Sequence, residues 1–255
     1  MSKPLIFISN DDGITSKGLK TLVEVAKGLG EVIVVAPDKP QSGKGHAVTI
    51  KDPLRITKVD VFEDVESWKC SGTPADCVKL AKNILFKDRT VDLVLSGINH
   101  GNNVSINILY SGTMSAAMEG AIEGKNSIGF SLDDFSGNAD FSASKHFVKN
   151  IIKKMLDYRG KTPLLLNVNI PNLPLAEIKG MKICRQSKGK WVEEFSESID
   201  PRGVPYYWLT GKFENMEKEA TDTDLWAIKN GYVSIVPSNY DLTNYNQLNN
   251  LDFII

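Results

Sequence analysis

The stretch "LIFISNDDGI", residues 5–14, decides the fold, because an apolar run rich in β-forming residues changes abruptly into two acids and a glycine. The run "LIFIS" predicts a short strand that is buried on both faces. A helix-period segment at 16–30 and a second apolar run at 31–36 follow it. The same alternation predicts further helices at 73–86, 112–124 and 141–158 and further strands at 91–97, 127–132 and 163–170. We therefore predict an α/β fold with a mainly parallel sheet covered by helices on both faces.

The C-terminal third has a different pattern, with short alternating strands, turns, and the tryptophans Trp191 and Trp208. We divide the chain into a core, residues 1–174, and a C-terminal extension, residues 175–255. Within the extension we predict a β-rich arm over about 175–225 and a strand near 231–237 that is a candidate for return to the core.

The composition excludes several classes of protein. A net charge of −1 gives no basic excess for a nucleic-acid polymer or an anionic membrane surface. No segment is long and apolar enough to span a membrane, and the N-terminus lacks the apolar core of a signal peptide. The chain has three cysteines, Cys70, Cys77 and Cys184, which are too few for a disulfide framework and form no C-x-x-C motif. We expect a cytoplasmic protein.

Polar side chains follow the predicted strands, and these strand ends carry the candidate chemistry. Asp11 and Asp12 come directly after the first strand, and polar loops follow the second and third strands at 36–49 and 96–117. Ligands bind beyond the carboxyl ends of parallel strands, so we expect these groups on one rim. Two close carboxylates raise each other's pKa unless a cation lies between them, and oxygen ligands suit Mg²⁺ or Mn²⁺. The alternative is that one acid forms a turn or caps the next helix.

Two further segments on this rim are candidates for substrate contact. Ser111, Gly112 and Thr113 open a predicted helix, where free N–H groups and hydroxyls would bind an anion. A plain helix cap is the alternative. His100 is a candidate for contacting substrate or protonating a leaving group, or it is a solvent-facing loop residue. The loop "QSGKGHAV" (41–48) lacks the spacing of a P-loop, which argues against nucleoside triphosphate chemistry.

Together these segments resemble the SurE (survival protein E) family over essentially the whole chain. The resemblance is carried, in order, by "SNDDGI" (9–14), "PDKPQSGKGHAVT" (37–49), "SGTPADCV" (71–78), "SGINHGNN" (96–103), "YSGTMSAAMEG" (110–120), "LLLNVNIP" (164–171), "DPRGVPYYWLTG" (200–211) and "TDTDLWAIKNGYVSIVP" (221–237). It implies a Rossmann-like three-layer core with a C-terminal extension used in dimerisation. It also implies a homodimer or homotetramer, and divalent-metal-dependent hydrolysis of nucleoside 5′- and 3′-monophosphates, with short polyphosphate as a further substrate.

The resemblance also implies roles for particular residues. One divalent ion per subunit, Mg²⁺ or Mn²⁺, is expected on Asp11, Asp12, Ser42 and Asn99, with the two acids as the catalytic residues. The residues expected to contact phosphate or substrate are Asn99, His100, Asn103, Ser111, Gly112 and Thr113. Asn102 and Asn107 depart from the pattern of many relatives, which leaves substrate preference open. A non-catalytic nucleotide sensor and a sugar-phosphate enzyme are the alternative functions on this fold.

Overall fold

The computed structural model describes residues 3–251, and of residues 193 and 194 the backbone only. The strands are β1 Leu5–Ser9, β2 Glu31–Pro37, β3 Ile56–Val59, β4 Glu66–Cys70, β5 Leu93–His100, β6 Asn126–Leu132, β7 Leu165–Ile170, β8 Met181–Ile183, β9 Gly189–Ile199, β10 Pro205–Asn215 and β11 Val233–Ser238. The α-helices are α1 Lys17–Lys27, α2 Pro74–Leu80, α3 Gly112–Ile122, α4 Ser142–Leu156 and α5 Asp224–Lys229. None of the helices between residues 3 and 251 is long and apolar enough to cross a membrane.

The central sheet has nine strands in the order β3-β4-β2-β1-β5-β6-β7-β11-β8. The six strands from β4 to β7 in this order run parallel to one another, whereas β3 and β11 run antiparallel to their neighbours β4 and β7. This is the strand order of a Rossmann-like fold, so the predicted α/β class is confirmed. The order reverses between β1 and β5, and ligands of such sheets bind at this switch point.

Helices cover both faces of the sheet, which gives three layers. Side chains of β1 alternate between the faces: Ile6 and Ile8 pack with α1 and α4, whereas Leu5 and Phe7 pack on the side of α2 and α3. All five residues of β1 are buried. The apolar run that predicted the strand is therefore explained by burial on both sides.

The predicted helices and strands of residues 5–170 are present, but β3 and β4 were missed. The extension also differs from its prediction in detail. Strand β8 belongs to the central sheet rather than to a separate arm, and helix α5 was not predicted. Strand β11 pairs with β7 of the core, as expected for the candidate strand near 231–237. Only β9 and β10 form a separate antiparallel ribbon in the described part of the chain. The domain boundary at residue 174 stays a prediction.

The first helix shows how closely the layers approach near the switch point. Ser16 caps α1 by accepting a hydrogen bond from the N–H of Leu19. Two residues later Gly18 lies against the end of β5, where a Cβ atom would stand 1.9 Å from the carbonyl oxygen of Ile98. A side chain at this position would push α1 away from β5, next to the candidate ligand Asn99.

We expect Gly18→Ala to lower the free energy of unfolding by about 1–3 kcal/mol, because the methyl group overpacks a backbone contact. The matched control is Gly28→Ala at the other end of α1. There a Cβ would meet only the Val25 carbonyl oxygen, at 3.6 Å, and φ is −75°. That variant should be unchanged or up to about 1 kcal/mol more stable. Urea unfolding measures both, and equal effects would contradict the proposed close approach.

Candidate metal and phosphate site

Asp11 and Asp12 lie in a tight turn just beyond β1, at the switch point of the sheet. The turn is held by the side-chain amide of Asn10, which donates to the Gly13 carbonyl oxygen at 3.1 Å and to Ser16 Oγ at 2.7 Å. Gly13 has a φ of +98°, which glycine adopts at low cost. Because Ser16 caps α1, the alternative in which one of the two acids caps that helix is wrong.

The two carboxyl groups are in an unfavourable electrostatic setting. Asp11 is only 3% exposed, and burial, together with the charge of Asp12, raises its pKa from 3.8 to about 6. Burial also raises the pKa of Asp12, although a hydrogen bond from the backbone N–H of His100 opposes the shift. That N–H lies 3.2 Å from Asp12 Oδ2. A divalent cation between the two groups would remove the conflict.

The beginning of α3 is built around Asp11. Thr113 donates its hydroxyl hydrogen to Asp11 Oδ1, and a backbone hydrogen bond from Thr113 also lowers the pKa of this carboxyl group. Gly112 lies so close that a Cβ atom there would stand 2.6 Å from the Asp11 Cβ. Only glycine allows this approach between the helix and the acid. Two of the predicted phosphate contacts, Gly112 and Thr113, therefore adjoin the predicted metal ligand.

Ser111 is the N-cap of α3, and its Oγ accepts a hydrogen bond from the N–H of Met114 at 3.0 Å. The capping alternative is therefore correct for this side chain. It does not exclude the anion site, because a hydroxyl that accepts one hydrogen bond still has its own hydrogen to donate. The N–H of Gly112, on the first turn, is also free of an intrahelical partner. Anion binding by Ser111 and Gly112 stays a prediction.

Asn99 and His100 lie at the end of β5, the strand next to β1, and the backbone N–H of His100 contacts Asp12. The Asn99 side-chain nitrogen donates to the Gly101 carbonyl oxygen at 2.8 Å. Its side-chain oxygen has no hydrogen-bond partner among residues 3–251 and is the atom suited to a hard cation. His100 Nδ1 lies 3.0 Å from the Ser136 carbonyl oxygen. This nitrogen therefore carries the hydrogen, and Nε2 is left for substrate.

The loop that carries Ser42 is fastened to the site rather than free. The backbone N–H of Gln41 donates to the carbonyl oxygen of Asp11 at 2.8 Å, and that of Gly45 donates to the Tyr110 carbonyl oxygen at 3.0 Å. Ser42 lies between these two anchors, is exposed, and makes no side-chain hydrogen bond within the described chain. The structure therefore brings Ser42 beside Asp11, with its hydroxyl available.

A buried charge that was not predicted holds the same loop. Glu119 of α3 is 3% exposed and lies 2.7 Å from His46 Nε2 and 2.8 Å from Lys79 Nζ. Burial raises the pKa of Glu119, but the hydrogen bonds from His46 and Lys79 outweigh it and hold the pKa below its usual range. The signal in the sequence was weak: a single glutamate inside a helix otherwise made of small residues.

Asn103 lies in a network of hydrogen bonds with other polar residues of the protein. It is buried, and its side-chain nitrogen donates to Ser131 Oγ at 2.8 Å. Its backbone N–H donates to Asn169 Oδ1, and its carbonyl oxygen accepts from Asn167 Nδ2. Asn167 and Asn169 are two residues apart in an otherwise apolar strand, so both side chains lie on the same face of the sheet. This spacing is the feature of the sequence that could have predicted a polar network. A direct phosphate contact by Asn103 stays a prediction.

The two departures from the family pattern have different surroundings. The Asn102 side-chain nitrogen donates to Asp133 Oδ1 at 2.5 Å, at the rim of the site. Asn107 instead accepts a hydrogen bond from Trp191 Nε1 at 2.9 Å and so ties β9 to the core. Asn107 is therefore a structural contact of the ribbon, whereas Asn102 remains close to the candidate substrate residues.

The chemistry of the donors fits one divalent ion. No group of three or more His, Cys, Asp or Glu side chains that could hold a metal occurs in the described residues. The candidate ligands are instead two carboxylates with raised pKa values, a free hydroxyl and a free amide oxygen. Such an oxygen set is typical of Mg²⁺ or Mn²⁺ and unlike that of zinc.

The fold and the site define an α/β protein with an acidic ligand site at the switch point of a Rossmann-like sheet. Residues 6–193 match the family model described as "Survival protein SurE". The chain is 55% identical to "5'-nucleotidase SurE" of Cytophaga hutchinsonii, over 99% of this chain and 97% of that protein. It is 43% identical to the protein of the same name from Synechococcus elongatus, over 98% of each chain.

A solved structure agrees with these sequence matches. The crystal structure of SurE protein from Aquifex aeolicus superimposes with a TM-score of 0.84 at 43% identity, over 98% of this chain and 99% of that one. The chain belongs to the SurE family.

The raised pKa of Asp11 makes a prediction about the metal-free protein. A carboxyl group whose pKa rises on folding stabilises the folded state at low pH, and this stability is lost as the pH rises from about 4 to about 6. Asp11→Asn removes the ionisable group and with it this loss of stability at higher pH. In EDTA at pH 7 the variant should therefore have a higher free energy of unfolding than the parent, by on the order of 3 kcal/mol. Urea unfolding between pH 4 and 8 measures the difference.

The control for this experiment is Asp60→Asn, which alters an exposed acid far along the chain from the site. It should leave the pH dependence unchanged. Adding Mg²⁺ or Mn²⁺ should then stabilise the parent and the control but not Asp11→Asn. An Asp11→Asn variant that is less stable than the parent in EDTA at pH 7 would contradict the unfavourable burial of this charge.

Proposed function

We propose that the chain is a divalent-metal-dependent phosphatase that hydrolyses nucleoside 5′- and 3′-monophosphates to nucleoside and phosphate, with short polyphosphate as a further substrate. The observation that carries the proposal is the meeting of Asp11, Asp12 and the start of α3 at the switch point of the sheet. Negative charge suited to a cation and N–H groups suited to an anion lie side by side there. The relatives named 5′-nucleotidase support the same activity.

The candidate site residues have separate roles in this proposal. Asp11, Asp12, Ser42 and Asn99 would hold one Mg²⁺ or Mn²⁺ ion. When bound, the ion supplies positive charge that offsets the charge of the phosphoryl group and favours deprotonation of water. The N–H of Gly112 and the hydroxyl of Ser111 hold phosphoryl oxygens and stabilise charge as the bond to the leaving oxygen breaks. Thr113 fixes the Asp11 carboxylate in place.

The leaving group is an alkoxide that needs a proton. His100 presents Nε2 towards solvent because Nδ1 is engaged by the Ser136 carbonyl oxygen. A protonated His100 can donate from Nε2, and a neutral one can accept a hydrogen bond from a sugar hydroxyl. We assign His100 to the substrate side of the site and not to the metal.

The test is phosphate release from a panel of nucleoside monophosphates, with EDTA and then with several divalent ions restored. We expect release that EDTA abolishes and Mg²⁺ or Mn²⁺ restores. Asp11→Asn should lower the rate at least about a hundred-fold, and Asp60→Asn should leave it unchanged. No metal-restored release would favour a non-catalytic nucleotide sensor. Faster release from sugar phosphates than from nucleotides would favour a sugar-phosphate enzyme.

We further propose that β9 and β10 form a dimerisation arm, in a homodimer or homotetramer. The ribbon exposes large apolar side chains on both of its faces, among them Phe195, Trp208 and Leu209. A large exposed apolar surface is unusual on a monomer and is expected at an interface between subunits. Trp191 anchors the base of the arm to the core through Asn107.

Sedimentation or light scattering tests the arm. We expect the parent to be a dimer or tetramer, and the double substitution of Trp208 and Leu209 to serine to give smaller species. The control is Lys212→Ser, which alters an exposed residue of the same ribbon and should keep the parent's state. A monomeric parent at micromolar concentration would contradict the proposal.

We also propose a cytoplasmic location. Cys70, Cys77 and Cys184 are free thiols and are buried, which suits a reducing compartment.

A further inference from the structure

A phenylalanine beside the candidate site has no role in the function described so far. Phe135 lies in the loop after β6 and is 75% exposed. Single exposed apolar residues are common on protein surfaces, so its exposure alone indicates nothing. Its ring, however, lies against Gly101, which follows His100 at the end of β5 near the two acids.

The Phe135 ring lies against the backbone of Gly101. A Cβ atom built on Gly101 would stand 2.2 to 2.9 Å from three atoms of this ring. Gly101 follows His100, whose N–H lies 3.2 Å from Asp12 Oδ2. Neighbouring Cα atoms are about 3.8 Å apart, so the ring covers the residue next to the one that contacts the acid.

The loop that carries Phe135 is fastened at both sides of the ring. Before the ring, the backbone N–H of Asp133 donates to the Ile170 carbonyl oxygen, and Asp134 accepts hydrogen bonds from Ser136 and Asn172. After it, the Ser136 carbonyl oxygen holds the His100 ring at 3.0 Å. The loop therefore presents the ring in a defined place instead of letting it fold inwards.

We propose that Phe135 is a stacking platform for the base of the nucleotide and thus a residue that determines specificity. The inference rests on the proposed function. In this proposal, a nucleoside monophosphate with its phosphate at the α3 start would extend its sugar past His100 and place its base beside Gly101 and Phe135. Every base has a π face, so an aromatic ring favours nucleotides over phosphate esters that lack a base.

The experiment compares AMP with ribose 5-phosphate, which has the same sugar and phosphate but no base. Phe135→Ala should lower kcat/KM for AMP roughly ten-fold, mainly through KM, and leave ribose 5-phosphate within about two-fold. Phe135→Leu keeps an apolar side chain but has no π face, so it should lower kcat/KM for AMP as much as Phe135→Ala does. Phe135→Trp keeps a π face and should retain the parent's kcat/KM for AMP. The loss should be greater for AMP than for UMP, because a purine has the larger face.

The control is Asn138→Ala, which alters an exposed residue of the same loop and should change neither substrate. Equal losses with AMP and ribose 5-phosphate, or no loss with AMP, would overturn the proposal. So would a Phe135→Ala protein that elutes at a different volume with both rates altered, since the ring would then be a contact between copies of the chain. A parent that releases no phosphate from AMP with metal present would instead contradict the proposed function itself.

Discussion

The structure depends on one electrostatic conflict, the burial of Asp11 beside Asp12 at the end of β1. A carboxylate in a site with little water is stable only with a cation or strong donors around it. The chain supplies a hydroxyl from Thr113 and an N–H from His100, which reduce the cost without removing it. The pKa of Asp11 stays near 6, so folding alone leaves the site unstable as a pair of anions. Folding thereby prepares the site to gain free energy from a divalent ion.

This conflict explains why the surrounding elements approach so closely. Helix α3 can place its N-terminal N–H groups against Asp11 only because residue 112 has no side chain, and α1 meets the end of β5 only because residue 18 has none. Both contacts bring helices to the switch point, where the parallel strands end. Glu119 adds a second constraint on α3, since its buried charge must stay paired with His46 and Lys79. The loop carrying Ser42 is therefore held by the same helix whose first turn is the candidate anion site.

The sequence predicted those parts of the fold in which burial is uniform. Strand β1 is buried at every position and the helices have clear periods, so both were visible as patterns. Strand β4 was missed because only Ser67 and Cys70 of its five residues are buried, and β3 because it is an edge strand with no buried residue. The acids and α3 could be predicted to meet because strand ends share a rim. The Ser111 cap could also be predicted, as the alternative to an anion contact, because Ser111 directly precedes the helix. The Asn103 network could not, since it depends on which of several nearby partners a polar group selects.

The separate roles proposed for the site residues indicate where substrate preference arises. On the proposed function, the phosphate end of the substrate would meet backbone groups, buried acids and a fastened loop, none of which distinguishes one phosphate monoester from another. Discrimination would then come from contacts with the rest of the substrate, which we propose lies beyond His100. That region is lined by side chains of two loops, including Asn102, paired with Asp133, and the exposed ring of Phe135. Loops of this kind change composition without disturbing the sheet. On the proposed function, the reaction depends on residues that the sheet positions, whereas base preference would depend on a few residues in the surrounding loops.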